Sequence, residues 1–172
     1  RDLPDGRLER TAVCIGNFDG VHRGHQALVQ ATVDHAAAEG LQAVAEAGLN
    51  RIHVGLESGS DEVLRRVKKG CTKEDHVVAG RRVIEAGMEL SEYVMPGLGG
   101  AELWKDHADE TADALNQIDP HFIRLRTLGL RQGTTLRETF EADGFTALDE
   151  DGVVAEIRRF VAGLDGIRST LV

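Results

Sequence analysis

Four times along this chain a short apolar run with strand character gives way to a stretch of helical spacing. The runs are TAVCIGNF (Thr11 to Phe18), RIHVGLES (Arg51 to Ser58), ELSEYVMP (Glu89 to Pro96) and HFIRLRTL (His121 to Leu128). Strands that each hand over to a helix are rejoined by crossovers, which makes them parallel. With 172 residues, the chain is expected to form a single α/β domain built on a parallel sheet of about four βα units. Within it, 1–10 is a polar lead-in, 11–44 the first βα unit and 45–172 the remainder.

Punctuation along the chain supports this division. After Gly24 the helical pattern runs through Ala27, Leu28, Ala31 and His35, and Gly40 is expected to close it. LQAVAEAG either prolongs that helix or forms a second short one stopped by Gly48. Ser60 is placed to cap a helix with Asp61 and Glu62 in its first turn and Gly70 at its end. TKED opens the next in the manner of a capping box, and Gly87 closes it. A further helix is expected from about Ala101 to Gln117. The polar segment from Gly129 to Thr146 then leads to a last helix with an apolar stripe of Val153, Val154, Ile157, Phe160, Val161 and Leu164.

A parallel sheet needs both faces covered and its edges protected. Two architectures satisfy this. One is an open sheet of flavodoxin or Rossmann type; the other is a partial TIM-type half-barrel that pairs with a second copy as a homodimer.

The formal charge of −9 argues against a general nucleic-acid binder, which would carry a basic face, but leaves room for a small phosphorylated ligand. RRVKKG (Arg65 to Gly70) is the longest basic cluster and reads as countercharge at a helix C-terminus. No apolar run reaches the roughly 18 residues of a membrane span, and neither a membrane span nor a charged-then-apolar leader is expected. The only cysteines, Cys14 and Cys71, make no disulfide framework, so a cytoplasmic setting is expected. With no cluster of cysteine and acidic residues beside the histidines, no metal site is expected.

The chemistry concentrates in IGNFDGVHRGH (Ile15 to His25). A glycine-rich turn between a strand and a helix cradles phosphate, because the backbone comes close and the helix presents unpaired N–H groups. His22 and His25, three residues apart, add donors that can stabilise charge during phosphoryl or nucleotidyl transfer. Asp19 suits either a ligand-side acid or a turn-former. The histidines would otherwise serve only as helix-start residues.

GNFDGVHRGH resembles the signature of the nucleotidyltransferase part of bacterial FAD synthetases, in the HxGH adenylyltransferase superfamily. The resemblance runs from about Thr11 to Val44. It implies that His22 and His25 contact the phosphates of ATP, that Gly24 makes room for them, and that Mg²⁺ accompanies the nucleotide. Gly16, Asn17, Phe18, Asp19 and Gly20 complete the implied nucleotide-binding loop. The implied reaction moves AMP onto a phosphate of the acceptor, which for that family is FMN. The chain departs from the family pattern further on. Its three prolines, Pro4, Pro96 and Pro120, supply no Pro-His-Pro element, and GIRSTLV at the C-terminus is no phosphate-gripping Ser-Ser-Thr loop.

From about Ala45 the sequence resembles the second half of a radical S-adenosylmethionine enzyme barrel, on AEAGLNRIHVGLESGSDEVLRRVKKG, SEYVMPGLGG and FIRLRTLGLRQGTTL. The resemblance implies that Glu57 and Ser58, at the end of a barrel strand, help hold the ribose and amino-acid portions of S-adenosylmethionine. A strand-end carboxylate that simply accepts hydrogen bonds from the next helix is the alternative for Glu57. Three closely spaced cysteines would be needed for the iron–sulfur cluster, and this chain has two in all, so no iron–sulfur cluster and no radical chemistry are expected. The chain therefore reads as a composite. The expected function is nucleotide phosphate binding at the first turn with residual FMN adenylyltransferase activity. The alternative is a non-catalytic chimeric α/β fold with at most residual S-adenosylmethionine binding.

Overall fold

The computed structural model describes residues 38–130, 132–133 and 135–172. The expectations attached to Thr11–Phe18, to Cys14 and to the loop from Gly16 to His25 lie outside the described residues. Within them the elements alternate: α1 (Ala38–Glu46), β1 (Arg51–Glu57), α2 (Asp61–Arg66), α3 (Lys73–Glu85), β2 (Glu89–Val94), α4 (Gly100–Ile118), β3 (Phe122–Leu125), α5 (Thr135–Ala142), α6 (Glu150–Gly163) and β4 (Thr170–Leu171).

The strands form one parallel sheet in the order β1-β2-β3-β4. That order decides between the two expected architectures. A doubly wound open sheet reverses its strand order at a switch point, whereas a barrel adds each strand beside the last. The described sheet is sequential throughout, the arrangement of half a TIM-type barrel.

Register then divides the sheet into two faces, because side chains alternate along each strand. Ile52, Val54 and Leu56, Leu90, Glu92 and Val94, and Ile123 and Leu125 share one face. Most of these join Val77, Val83, Ala108, Ala112, Leu115, Ile118 and Phe160 from α3, α4 and α6 in the main core. At roughly 1.5–3 kcal/mol for each large aliphatic side chain buried, this face anchors the domain. Arg51 and His53, Glu89, Ser91 and Tyr93, and Phe122 and Arg124 line the opposite face, the inner side of the half-barrel. A smaller core of Val63, Leu98 and Phe140, with Met95, Leu103, Leu128 and Phe145 against it, closes over the segments that leave the C-terminal strand ends.

Several local signals act as expected. Thr72 and Asp75 form the capping box of α3, each side chain accepting from the other's backbone N–H. Helix α1 ends just before Gly48, whose φ of 103° lies in the region that favours glycine. Other expectations are corrected. Gly40 does not close a helix; it lies inside α1, and Gly48 is the stop. Ser60 occupies the N-cap of α2 but its side chain caps nothing, and its own N–H donates to Ser58 Oγ at 2.9 Å. The polar segment after Gly129 contains α5, which buries Phe140 in the smaller core. The stripe of α6 is narrower than expected. Val154 and Val161 are exposed, while Glu156 and Phe160 are buried. GIRSTLV provides β4, whose Thr170 and Leu171 lie beside Phe122 and Ile123. Two residues are too short a run to show a period.

Gly59 sets how closely the turn after β1 approaches α4. A methyl group there would stand 2.3 Å from the backbone oxygen of Glu110, and the Gly59 N–H donates to Thr111 Oγ1 at 2.8 Å. Neither the helix backbone nor a buried turn can yield cheaply. Gly59→Ala is therefore expected to lower stability by about 1–3 kcal/mol, the usual range for overpacking, as read from urea unfolding. An unchanged midpoint would show that the turn and α4 are free to separate.

Candidate ligand site at the strand ends

In a parallel barrel the C-terminal strand ends carry ligand chemistry, because the loops there converge on one mouth. The end of β1 is distorted at that point. Pairing with β2 skips from Gly55↔Tyr93 to Glu57↔Val94, leaving Leu56 in a bulge, and Glu57 has a left-handed φ of 63°. A non-glycine residue there carries strain of order 1–3 kcal/mol, held in place only by strong surroundings. Those surroundings are visible. The Glu57 carbonyl oxygen accepts from the Met95 N–H at 3.0 Å and from His107 Nε2 at 3.2 Å.

The Glu57 carboxylate lies 3.6 Å from Lys69 Nζ, and both side chains are largely covered. Burial pushes its pKa above the ordinary value, and the nearby Lys69 and Arg126 act the other way. Lys69 comes from the RRVKKG cluster, which does more than offset a helix dipole. Arg65 pairs with Glu62 on the surface, while Arg66 reaches the Gly99 carbonyl at 3.4 Å and Glu102 at 3.6 Å. Ser58 is fully buried, and its hydroxyl accepts from the Ser60 N–H. Glu57 and Ser58 thus sit side by side at the mouth, with Ser58 engaged in the turn. Gly16, Asn17, Phe18, Asp19, Gly20, His22, Gly24 and His25 lie outside the described residues.

Sequence reasoning missed the group that holds this mouth in shape. His107 on α4 and Glu156 on α6 are both 1% exposed, with Nδ1 to Oε1 at 2.5 Å. The Glu156 oxygens also accept from the Gly97 N–H at 3.2 and 3.0 Å. A carbonyl can only accept, so Nε2 of His107 donates to Glu57 and a second proton lies between Nδ1 and Oε1. The pair is therefore neutral as a whole, which makes its burial tolerable. It ties the end of β1, the loop after β2, α4 and α6 together. The available signal was positional: His107 falls on the same stripe of α4 as Thr111, Leu115 and Ile118, and Glu156 on the same stripe of α6 as Phe160.

A second, partly buried pair involves Cys71 and His76. Cys71 Sγ is 3.1 Å from His76 Nε2. Burial lowers His76 to about 4, with Lys69 adding to the effect, and burial raises the Cys71 thiol, so both are neutral near pH 7. Among the described residues no three His, Cys, Asp or Glu side chains group as a metal site, and no helix is long and apolar enough to cross a membrane.

Fold and site together define a parallel α/β half-barrel with a polar mouth at its C-terminal strand ends. Comparison with known proteins gives two kinds of likeness. The FAD synthetase family model matches residues 5–46. Over most of the chain the similarity is to other proteins. The tRNA uridine(34) acetyltransferase of Methanocaldococcus infernus is 22% identical over 142 residues, 82% of this chain and 27% of that protein. The biotin synthase of a Cyanothece species is 30% identical over 138 residues, 77% of this chain and 36% of that protein. Among solved structures, archaeal Methanocaldococcus infernus Elp3 superposes with a TM-score of 0.64 at 19% identity, covering 80% of this chain and 33% of that one. At that identity the likeness speaks for the fold alone, a parallel α/β half-barrel. The composite character expected from the sequence is thus supported on both sides, and the chain spans about a third or less of these relatives.

Proposed function

We propose that the chain binds the phosphates of ATP, with Mg²⁺, through the turn from Gly16 to His25, and retains at most weak adenylyl transfer to FMN. The observation that carries this reading is the FAD synthetase family match over residues 5–46, which contains the whole GNFDGVHRGH motif. His22 and His25 would donate to phosphate oxygens, Gly16, Gly20 and Gly24 would let the backbone approach, and Asn17, Phe18 and Asp19 would shape the loop. Mg²⁺ would arrive with the nucleotide and spread the charge of the triphosphate.

The strand-end geometry favours a second reading, binding of S-adenosylmethionine or a similar amino-acid-bearing nucleoside at the mouth. The fit is partial. Glu57 presents a carboxylate suited to an ammonium group and Lys69 a cation suited to a carboxylate, while the Ser58 hydroxyl is already engaged. Cys14 and Cys71 cannot supply three thiolates, so no radical step is assigned.

Calorimetric titration with Mg·ATP and, separately, with S-adenosylmethionine tests both. Saturable ATP binding, weakened at least about tenfold by His22→Ala with His25→Ala, is expected if the loop grips phosphate. Equal affinity in the double variant would end that reading. Binding of S-adenosylmethionine that is lost in Glu57→Ala supports the second; no heat from that ligand removes it.

A further inference from the structure

The inner face of the sheet carries a concentration of cationic side chains that neither reading uses. Arg51 is satisfied there: it pairs with Glu89 at 2.5–2.7 Å and lies over the Phe122 ring at 4.4 Å. Arg124 and Arg126, the next inward positions on β3 and just beyond it, differ. Arg124 Nε donates to Ser91 Oγ at 3.1 Å, and the Arg126 guanidinium lies over the Tyr93 ring at 4.9 Å. Neither has a carboxylate within ion-pair distance among the described residues, although the protein carries a net charge of −9. Beside them the ring of His53 stacks on Tyr93 at 6.1 Å. Its Nδ1 is shielded from solvent and has no hydrogen-bond partner among the described residues.

These side chains come from three adjacent strands, and parallel register sets them in neighbouring rows: His53 beside Ser91, and Tyr93 beside Arg124. The Ser91 bond holds Arg124 by its Nε edge and leaves the two terminal nitrogens uncommitted. That is the half of a guanidinium that grips a pair of oxygens at once. Tyr93 holds Arg126 by its face, which likewise leaves its N–H edge open. The face is half-exposed at His53, Tyr93 and Arg124 and open at Arg126, so a small molecule can reach it.

We propose that Arg124 and Arg126, with His53 and Tyr93, form a binding site on the inner face of the half-barrel for a small oxyanion bearing two or more charged oxygens. A phosphate ester and a dicarboxylate share this chemistry. Two uncommitted guanidinium edges supply the charge, the His53 ring supplies a further polar contact, and Tyr93 offers a flat wall to whatever the anion is attached to. This site is independent of the turn from Gly16 to His25, and the test separates the two.

The test titrates the full chain with inorganic phosphate, pyrophosphate and succinate, following the ring resonances of His53 and the heat of binding. Saturation below about 10 mM by phosphate or succinate, with the His53 ring shifting, is expected for a two-guanidinium site. The preferred anion identifies the source, phosphoryl or carboxylate. Arg124→Gln with Arg126→Gln should weaken binding by about a hundredfold, Arg124→Lys should recover part of it, and His22→Ala with His25→Ala should leave it unchanged. Circular dichroism and urea unfolding of each variant establish that the fold is kept. No saturation by any of the three anions overturns the proposal. So does an affinity that survives the double glutamine variant, or binding that disappears with His22 and His25 instead. Should the double variant fail to fold, an unmoved His53 ring in the wild-type titration overturns it equally.

Discussion

Replacing Glu92 by leucine should raise the stability of this protein at pH 7 by about 3 kcal/mol or more, and should flatten its stability between pH 5 and 8. Glu92 lies between Leu90 and Val94 on the face of the sheet that the helices cover, and is 1% exposed. Neither carboxyl oxygen makes a hydrogen bond of good geometry among the described residues, and the approach of the Leu56 backbone favours the ionised form less than burial disfavours it. Burial pushes its pKa from 4.5 to about 8, with Lys69 opposing this and Glu57 adding to it.

The sign follows directly. Between pH 4.5 and about 8 the folded protein holds a proton at Glu92 that the unfolded chain has released, so stability falls as pH rises through that window. At about 1.4 kcal/mol per unit, the loss is about 3 kcal/mol by pH 7 and about 5 kcal/mol by pH 8, above which it levels off. Leucine carries no proton to lose and adds apolar contact where the carboxyl had none. Urea unfolding of both proteins from pH 5 to 8.5 measures the difference curve. Parallel profiles for the two would show that Glu92 ionises in the folded protein as easily as in the unfolded chain.

Truncating Glu156 should have the opposite consequence. Glu156→Ala removes the acceptor of both His107 Nδ1 and the Gly97 N–H, inside a site where water has almost no room. The cavity beside it, lined by Val94, Pro96, His107, Thr111 and Phe160, has a volume of only about 10 Å³. An unpaired buried charge or donor set of this kind costs about 3–5 kcal/mol. Because His107 also holds the Glu57 carbonyl, the variant should release the left-handed turn at the end of β1 and raise hydrogen exchange at Ser58 and Gly59. A double-mutant cycle with His107→Ala should show strong coupling, the double variant costing much less than the sum of the two. Additive effects would mean that the two side chains do not support each other.

Much of the architecture was legible in the residues. RIHVGLE, ELSEYV and FIRL are apolar or alternating runs between helical stretches, and each is a strand. The Thr72 cap and the glycines at 48 and 87 mark helix boundaries through local chemistry that needs no tertiary context. Helix α5 was hidden because TLRETFEA is mostly charged and hydroxyl-bearing, with too few apolar residues to show a helical period, although Phe140 is deeply buried. The candidate site was half legible. Glu57 and Ser58 stand at a strand end as expected, since strand ends are readable from where an apolar run stops. His107 and Glu156 were not, because a polar residue on an apolar stripe gains meaning only when its partner, 49 residues away, is known.

By itself, then, the sequence determined the class. Hydrophobic period, caps and glycines are local, and together they dictate strands that alternate with helices and run parallel. It also determined the mixed character of the chain, since motifs are read as letters. Only the tertiary structure decided that the sheet runs in barrel order, that two lone polar residues neutralise each other beneath the mouth, and that Arg124 and Arg126 share one face with His53. Those facts depend on side chains far apart in the chain, whose free energies are set by the distance and burial that packing gives them.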